Sequence, residues 1–165
     1  MTMISKITPC LWFDHQAEEA ANFYVSIFKN SRITEISRYS EVGQEQHGRP
    51  AGSVMVVEFE LEGHRFTGLN GGPHFTLSPA ISFQIDCADQ AEVDYFWEKL
   101  GEGGPVEAQQ CGWVQDKFGL SWQVVPSILR DLTKDLSDPR CKRAFGAMMQ
   151  MKKLDIAELK KAYEG

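Results

Sequence analysis

No stretch of this sequence reaches the roughly 18 consecutive apolar residues that a membrane-spanning helix requires, so no membrane partner is expected. Basic clusters are scarce too. The formal net charge is −6, whereas neutralising nucleic-acid phosphates takes clustered Lys and Arg. The main group of cations, Arg140 to Arg143 with Lys152, Lys153, Lys160 and Lys161, falls on expected helices among acids, so nucleic acid is not an expected partner. Cys10, Cys87, Cys111 and Cys141 stand far apart, with no CxxC and no His-rich spacing beside them. They read as free thiols of a reducing compartment. The opening Met1-Thr2-Met3-Ile4-Ser5-Lys6 runs into a Pro-containing strand without a signal-peptide apolar core. The cytoplasm is therefore the expected location.

What is present suffices for one ordinary domain. With 165 residues, 42% of them apolar, the chain can bury about 70% of its unfolded surface. Two similar halves stand out. Ile7 to Phe13 reads as a strand, and Gln16-Ala17-Glu18-Glu19 then opens a helix with Ala20, Phe23, Tyr24, Ile27 and Phe28 on one stripe. About 74 residues on, Ala80 to Asp86 reads as a strand, and Asp89-Gln90-Ala91-Glu92 opens a second helix with Val93, Phe96, Trp97 and Leu100. Asp89 and Glu92 form a capping box, each side chain satisfying a free N–H at the helix start. Gln-Ala-Glu begins both helices, and a spacing near half the chain favours duplication.

Strand-like segments follow each helix. In the first half they are Ile33 to Tyr39, Ser53 to Leu61 and His64 to Asn70, with a tight Glu62-Gly63 turn. Met55, Val57, Phe59 and Leu61 share one face of the middle strand and Glu58, Glu60 and Glu62 the other. In the second half they are Val106 to Gln109, Gly112 to Asp116 and Leu120 to Val125, with a Lys117-Phe118-Gly119 turn. Glu41 to Gly52, rich in Gly, Gln and charge, reads as a mobile loop. Beyond Pro126 the pattern turns helical. Ser127 is expected to cap Ile128 to Asp135, Asp138-Pro139 fits an N-cap with Pro at the first helical position, and Asp155 with Glu158 forms a capping box. Phe145, Met148, Met149, Met151 and Leu154 are expected to dock this tail on the sheet or on a second subunit, as plain packing. Module one thus spans about 1–72, module two about 78–126, and a helical tail about 127–165.

Twice-repeated strand–helix–three-strand order resembles the vicinal-oxygen-chelate superfamily of glyoxalase I, extradiol dioxygenases and fosfomycin- and bleomycin-resistance proteins. More narrowly, four segments resemble the PhnB-like family labelled 3-demethylubiquinone-9 3-methyltransferase. They are Ile7-Thr8-Pro9 through Phe13, Ala17-Glu18-Glu19-Ala20 through Ile27-Phe28, Leu69-Asn70-Gly71-Gly72-Pro73, and Cys111-Gly112-Trp113 through Trp122-Gln123-Val124-Val125-Pro126. The resemblance implies an α+β fold of two βαβββ modules whose mixed sheets curl around a small-molecule cavity, with C-terminal helices added, commonly as a homodimer.

Metal-dependent members of that superfamily carry His or Glu on the first and last strands of each module. Placing this sequence on the pattern puts Pro9 and Ala80 at the first-strand positions, Gln123 at the last strand of module two and Asn70 at its counterpart in module one. Pro and Ala offer no side-chain donor, and neutral amides are poor ligands for divalent iron, nickel or zinc. No metal and no other cofactor are expected. Nor does the sequence hold a strand-to-helix glycine turn for a Rossmann-type methyltransferase cofactor. Gly101-Glu102-Gly103-Gly104-Pro105 follows a helix, and Gly71-Gly72-Pro73 is a turn between modules.

Strand alternation, aligned to the superfamily, sends Pro9, Leu11 and Phe13 toward the cavity and Cys10 and Trp12 under the helices. It likewise turns Ser82, Gln84, Ser121, Gln123 and Val125 inward and Ile81, Phe83, Ile85, Trp122 and Val124 away. Asn70, Ser82, Gln84, Trp113, Ser121 and Gln123 are the candidate ligand-binding residues, small polar groups suited to a neutral organic molecule. The plainer alternative is that Gln84, Ser121 and Gln123 only bond one another. His74, in a loop, and Cys111, at a strand start, are candidate acid–base and nucleophilic groups. Three functions stay open: a metal-free small-molecule binder, a methyltransferase or Cys/His-dependent enzyme, and a dimeric interaction domain with a filled cavity.

Overall fold

A computed structural model describes residues 5–165. It is a mixed α+β fold with two open sheets and six α-helices among the described residues. The chain divides into two compact units between Leu77 and Ser78.

The first unit contains β1 (Cys10–Phe13), α1 (Ala17–Ile27), β2 (Arg32–Arg38), α2 (Gln44–His47), β3 (Val54–Leu61) and β4 (His64–Asn70). Its sheet runs β1-β4-β3-β2, with β1 parallel to β4 and the other pairs antiparallel. The helix α1 packs on β3 and β4 and buries Ala17, Ala20, Ala21, Tyr24 and Ile27 against Val57, Phe59, Leu61 and Phe66. Tyr24 stacks on Phe59, with centroids 6.1 Å apart. Apolar alternation along β3 therefore defines the buried face, as its sequence predicts.

Register corrects the expected orientation of β1. Leu11 pairs with Gly68 and Phe13 with Asn70. An added Cβ at Gly68 would lie 3.3 Å from Ala17 Cβ of α1 and 3.6 Å from the Phe13 ring. Leu11 and Phe13, 5% and 4% exposed, thus lie under the helix, and Cys10 and Trp12 take the opposite face. Pro9, just before the strand, falls in register with Leu11 and Phe13. The aligned pattern failed because the apolar pair of a four-residue strand follows its helix, whichever parity a distant relative uses.

The second unit contains β5 (Ser82–Cys87), α3 (Gln90–Gly101), β6 (Trp113–Gln115), β7 (Ser121–Pro126), α4 (Leu129–Thr133), α5 (Pro139–Met148) and α6 (Ile156–Glu164). The sheet order is β5-β7-β6, with β5 parallel to β7. Asp89 Oδ1 accepts from Glu92 N at 2.9 Å, and Glu92 Oε2 accepts from Ala88 N at 2.8 Å, closing the expected capping box one residue early. Val106 to Gln109 is no strand. Val106–Ala108 forms a 3-10 turn, in which Ala108 N and Gln109 N donate to Pro105 and Val106 carbonyls. With Pro105 before it and no apolar alternation, the segment bonds locally.

Other boundaries moved for equally local reasons. Glu41 to Gly52 contains the helical turn α2, framed by Gly43 and Gly48, both with positive φ. Ala80 stays in an exposed turn outside β5, and Ile81 is 68% exposed rather than turned toward the helix. Ser127 does not cap α4; its hydroxyl donates to Asp86 Oδ1 at 2.7 Å. Asp138 and Asp155 do cap α5 and α6. In the tail, Leu132, Ala144, Leu154 and Leu159 form their own core, with Met148 and Met151 against it. Phe145 and Met149 remain 37% and 44% exposed. The tail is clamped by paired bonds: Cys111 N and Gly112 N donate to Met151 and Lys152 carbonyls, and the Gln90 amide bonds Leu154 O and Ile156 N.

Candidate functional site

The face of the second sheet opposite α3 carries most of the residues singled out from the sequence. β5 and β7 run parallel with Ser82 opposite Ser121 and Gln84 opposite Gln123, and Trp113 of β6 lies opposite Gln123. Directly opposed side chains share a face, so Ser82, Gln84, Ser121, Gln123 and Trp113 come together. On the other face Ile85 and Val124 are buried, and Phe83 packs on Trp122 at 5.8 Å.

A hydrogen-bonded row crosses the site. Gln123 Nε2 donates to Ser82 Oγ at 2.8 Å, and Gln84 Nε2 donates to Gln123 Oε1 at a longer 3.4 Å. Among the described residues these three side chains have no further partners. One N–H of each carboxamide, Gln84 Oε1 and the Ser82 hydroxyl proton therefore stay available. Gln84 is exposed, Ser82, Gln123 and Trp113 are half-buried, and Ser121 is buried.

Asp116, which the sequence reading misses, sets the geometry of this face. It is 1% exposed. Its Oδ1 accepts from Phe118 N (2.8 Å) and Leu120 N (3.1 Å), and its Oδ2 accepts from Trp122 Nε1 (2.9 Å). The turn that puts Trp113 opposite Gln123 is thus tied to the helix-side indole of β7. An Asp immediately before the Lys117-Phe118-Gly119 turn is the signal available in the sequence.

The remaining candidates lie elsewhere. Asn70 is in the first unit, 5% exposed, with Oδ1 accepting from Ala17 N at 2.8 Å and Nδ2 donating to Val54 O at 3.1 Å. It satisfies the first amide of α1, which Gln16 does not cap. His74 is an exposed residue of the first unit; Cys111 belongs to the second, its Sγ 3.7 Å from Met149 O and 4.0 Å from Met149 Sδ. The Gly71-Gly72 turn holds Trp12, whose Nε1 donates to Gly72 O at 2.8 Å. A Cβ on Gly71 would stand 2.2 Å from that indole.

Potential metal donors are not assembled. Among the described residues no group of three or more His, Cys, Asp or Glu side chains is placed to hold an ion. The corrected β1 register would offer Cys10 and Trp12 where Pro9 was expected. Partial desolvation raises the Cys10 thiol pKa, and a single thiol makes no metal site without neighbouring donors.

Residues 5–125 match the family model described as 3-demethylubiquinone-9 3-methyltransferase. A Bacillus cereus PhnB protein, solved under a provisional description of that same activity, is 36% identical, over 72% of this chain and 97% of its own, with a TM-score of 0.62. A Staphylococcus aureus protein is 29% identical over 73% of this chain and 95% of its own, at a TM-score of 0.33. A Pseudomonas aeruginosa protein at 18% identity, covering 72% of this chain and 95% of its own, shares the fold at a TM-score of 0.53. No protein of curated function matches the sequence significantly. The matched stretch takes in both sheets and stops before α4, and on that extent and identity the chain belongs to the 3-demethylubiquinone-9 3-methyltransferase family as a PhnB-like protein.

Proposed function

We propose that the protein binds a small, neutral, planar organic molecule without a metal, on the Ser82–Gln84–Gln123–Trp113 face. The observation that carries this reading is the hydrogen-bonded row with donors and an acceptor to spare beside a half-buried indole. Carboxamides offer both donor and acceptor in one plane, and an indole offers a stacking surface. A flat ring with carbonyl and hydroxyl edges satisfies both. A quinone-type ring, of the kind named in the description of the Bacillus cereus relative, has this chemistry. The neutral lining favours such a molecule over a bare ion.

Native mass spectrometry of freshly purified protein tests this, since it reads copurified ligand, metal and subunit number together. The expected result is a homodimer that retains or accepts a quinone-type ligand unchanged. The double variant Gln84→Leu/Gln123→Leu should weaken that binding about tenfold or more. Stoichiometric divalent metal would overturn the metal-free reading.

The family description favours a second reading, transfer of a methyl group to such a ring. Retained S-adenosylmethionine, or a ligand gaining one methyl mass in its presence, would put that reading first.

A further inference from the structure

The first unit contains a cavity of about 180 Å³ bordered by the start of α1, the segment Arg49 to Val54 and Asn70. That exceeds the roughly 150 Å³ that admits benzene, so a small organic molecule fits. Its lining includes His15, Glu18, Arg49 and Ser53. Two of these present opposite charges with unused bonding capacity. Arg49, whose side chain is only 22% exposed, uses one terminal nitrogen, Nη2, for both the carbonyl and the carboxylate of Asp14. Its Nε and Nη1 have no acceptor among the described residues. The half-buried Glu18 carboxylate likewise has no hydrogen-bond or ion-pair partner there. A first-turn position suits its charge, yet leaves both its oxygens unpaired.

We propose that this cavity is a ligand site separate from the glutamine face, and that it takes a small zwitterion of the short α-amino-acid type. A carboxylate can accept from the Arg49 N–H groups that Asp14 does not use, a charge-assisted hydrogen bond. An ammonium group matches Glu18. A carboxylate alone would leave Glu18 uncompensated, and an ammonium alone would leave the spare Arg49 N–H groups unused, since Asp14 already balances the guanidinium charge. L-Alanine, a small member of that class, fits the volume with room to spare.

NMR titration of the ¹⁵N-labelled full chain with L-alanine, acetate or ethylammonium, followed at the Glu18, Arg49 and Ser53 amides, tests the assignment. L-Alanine should give saturable shifts, with acetate and ethylammonium each about tenfold weaker or more. Glu18→Gln should weaken L-alanine to a similar degree, while Gln84→Leu/Gln123→Leu leaves it unchanged. Absence of saturation, equal response to acetate, or an unaffected Glu18→Gln variant would overturn the assignment. None of these results bears on the proposed ligand of the second sheet.

Discussion

Replacing Asp116 by Ala isolates the device that holds the β6–β7 turn. The carboxylate accepts three hydrogen bonds at 2.8, 3.1 and 2.9 Å, from Phe118 N, Leu120 N and Trp122 Nε1, in a side chain 1% exposed. A buried donor left without a partner costs about 1–3 kcal/mol. Phe118 N lies in a half-buried turn where water can reach it, whereas the Leu120 amide and the Trp122 indole are buried. Counting the two buried donors, Asp116→Ala should cost the second unit about 3–4 kcal/mol. Asp116→Asn keeps one acceptor oxygen and should lose about half as much. Urea denaturation followed by circular dichroism reads both, as a lowered midpoint with an unchanged slope. A loss below about 1 kcal/mol for the Ala variant would refute the accounting, because those two buried N–H groups would then have found other acceptors.

Two further outcomes follow from other groups. Asn70→Ala removes the acceptor of Ala17 N and a donor to Val54 O. It should cost about 2–3 kcal/mol and abolish hydrogen-exchange protection of the Ala17 amide, while unchanged protection would show the cap to be dispensable. The Cys87 thiol is pushed up to about 12 from 9.0, by burial first and then by the Glu92 and Asp86 charges. The unfolded chain therefore loses this proton before the folded one does, so the contribution is intact below pH 9 and is lost as pH rises toward about 12. Cys87→Ala should flatten the alkaline fall of stability in that window, and an unaltered slope would assign the fall to other groups.

The parts of this fold that could be read from the sequence were those with redundant signals. α1 and α3 combine an apolar stripe with an acidic first turn, and β3 and β4 combine alternation with a Glu62-Gly63 turn, so several independent preferences agree. Where one preference stood alone, tertiary context decided. Val106 to Gln109 had only its position in the repeat to make it a strand, and local backbone bonding won. Ser127 had a capping side chain, but the Asp86 carboxylate competed for its hydroxyl. The site followed the same division. The β5–β7 register, supported by six consecutive pairs, aligned Ser82, Gln84 and Gln123 as strand alternation predicts. Resemblance alone points to Asn70, whose bonds to Ala17 N and Val54 O only the fold shows, and the surroundings of Arg49 and Glu18 are likewise set by residues distant in sequence.

Corrected parity also sets apart the chemistry of the two helix-free sheet faces. In each unit the first strand lies parallel to the last, and the helix covers one face. On the uncovered face the first unit sets Cys10 opposite Thr67 and Trp12 opposite Leu69, with Val56 paired to Leu69 on its other side. At the matching places the second unit sets Ser82 opposite Ser121 and Gln84 opposite Gln123. Beside that apolar pair the first surface carries Thr67 opposite Glu58 and Arg65 opposite Glu60, a charged lining, whereas the second carries neutral carboxamides and hydroxyls. Binding energy from apolar contact is non-directional, whereas a misplaced carboxamide leaves a polar group unpaired. On the proposed reading, discrimination among a ligand's polar edges comes from Gln84 and Gln123, so Trp113→Leu on the same sheet should lower affinity without changing which ring substituents are preferred.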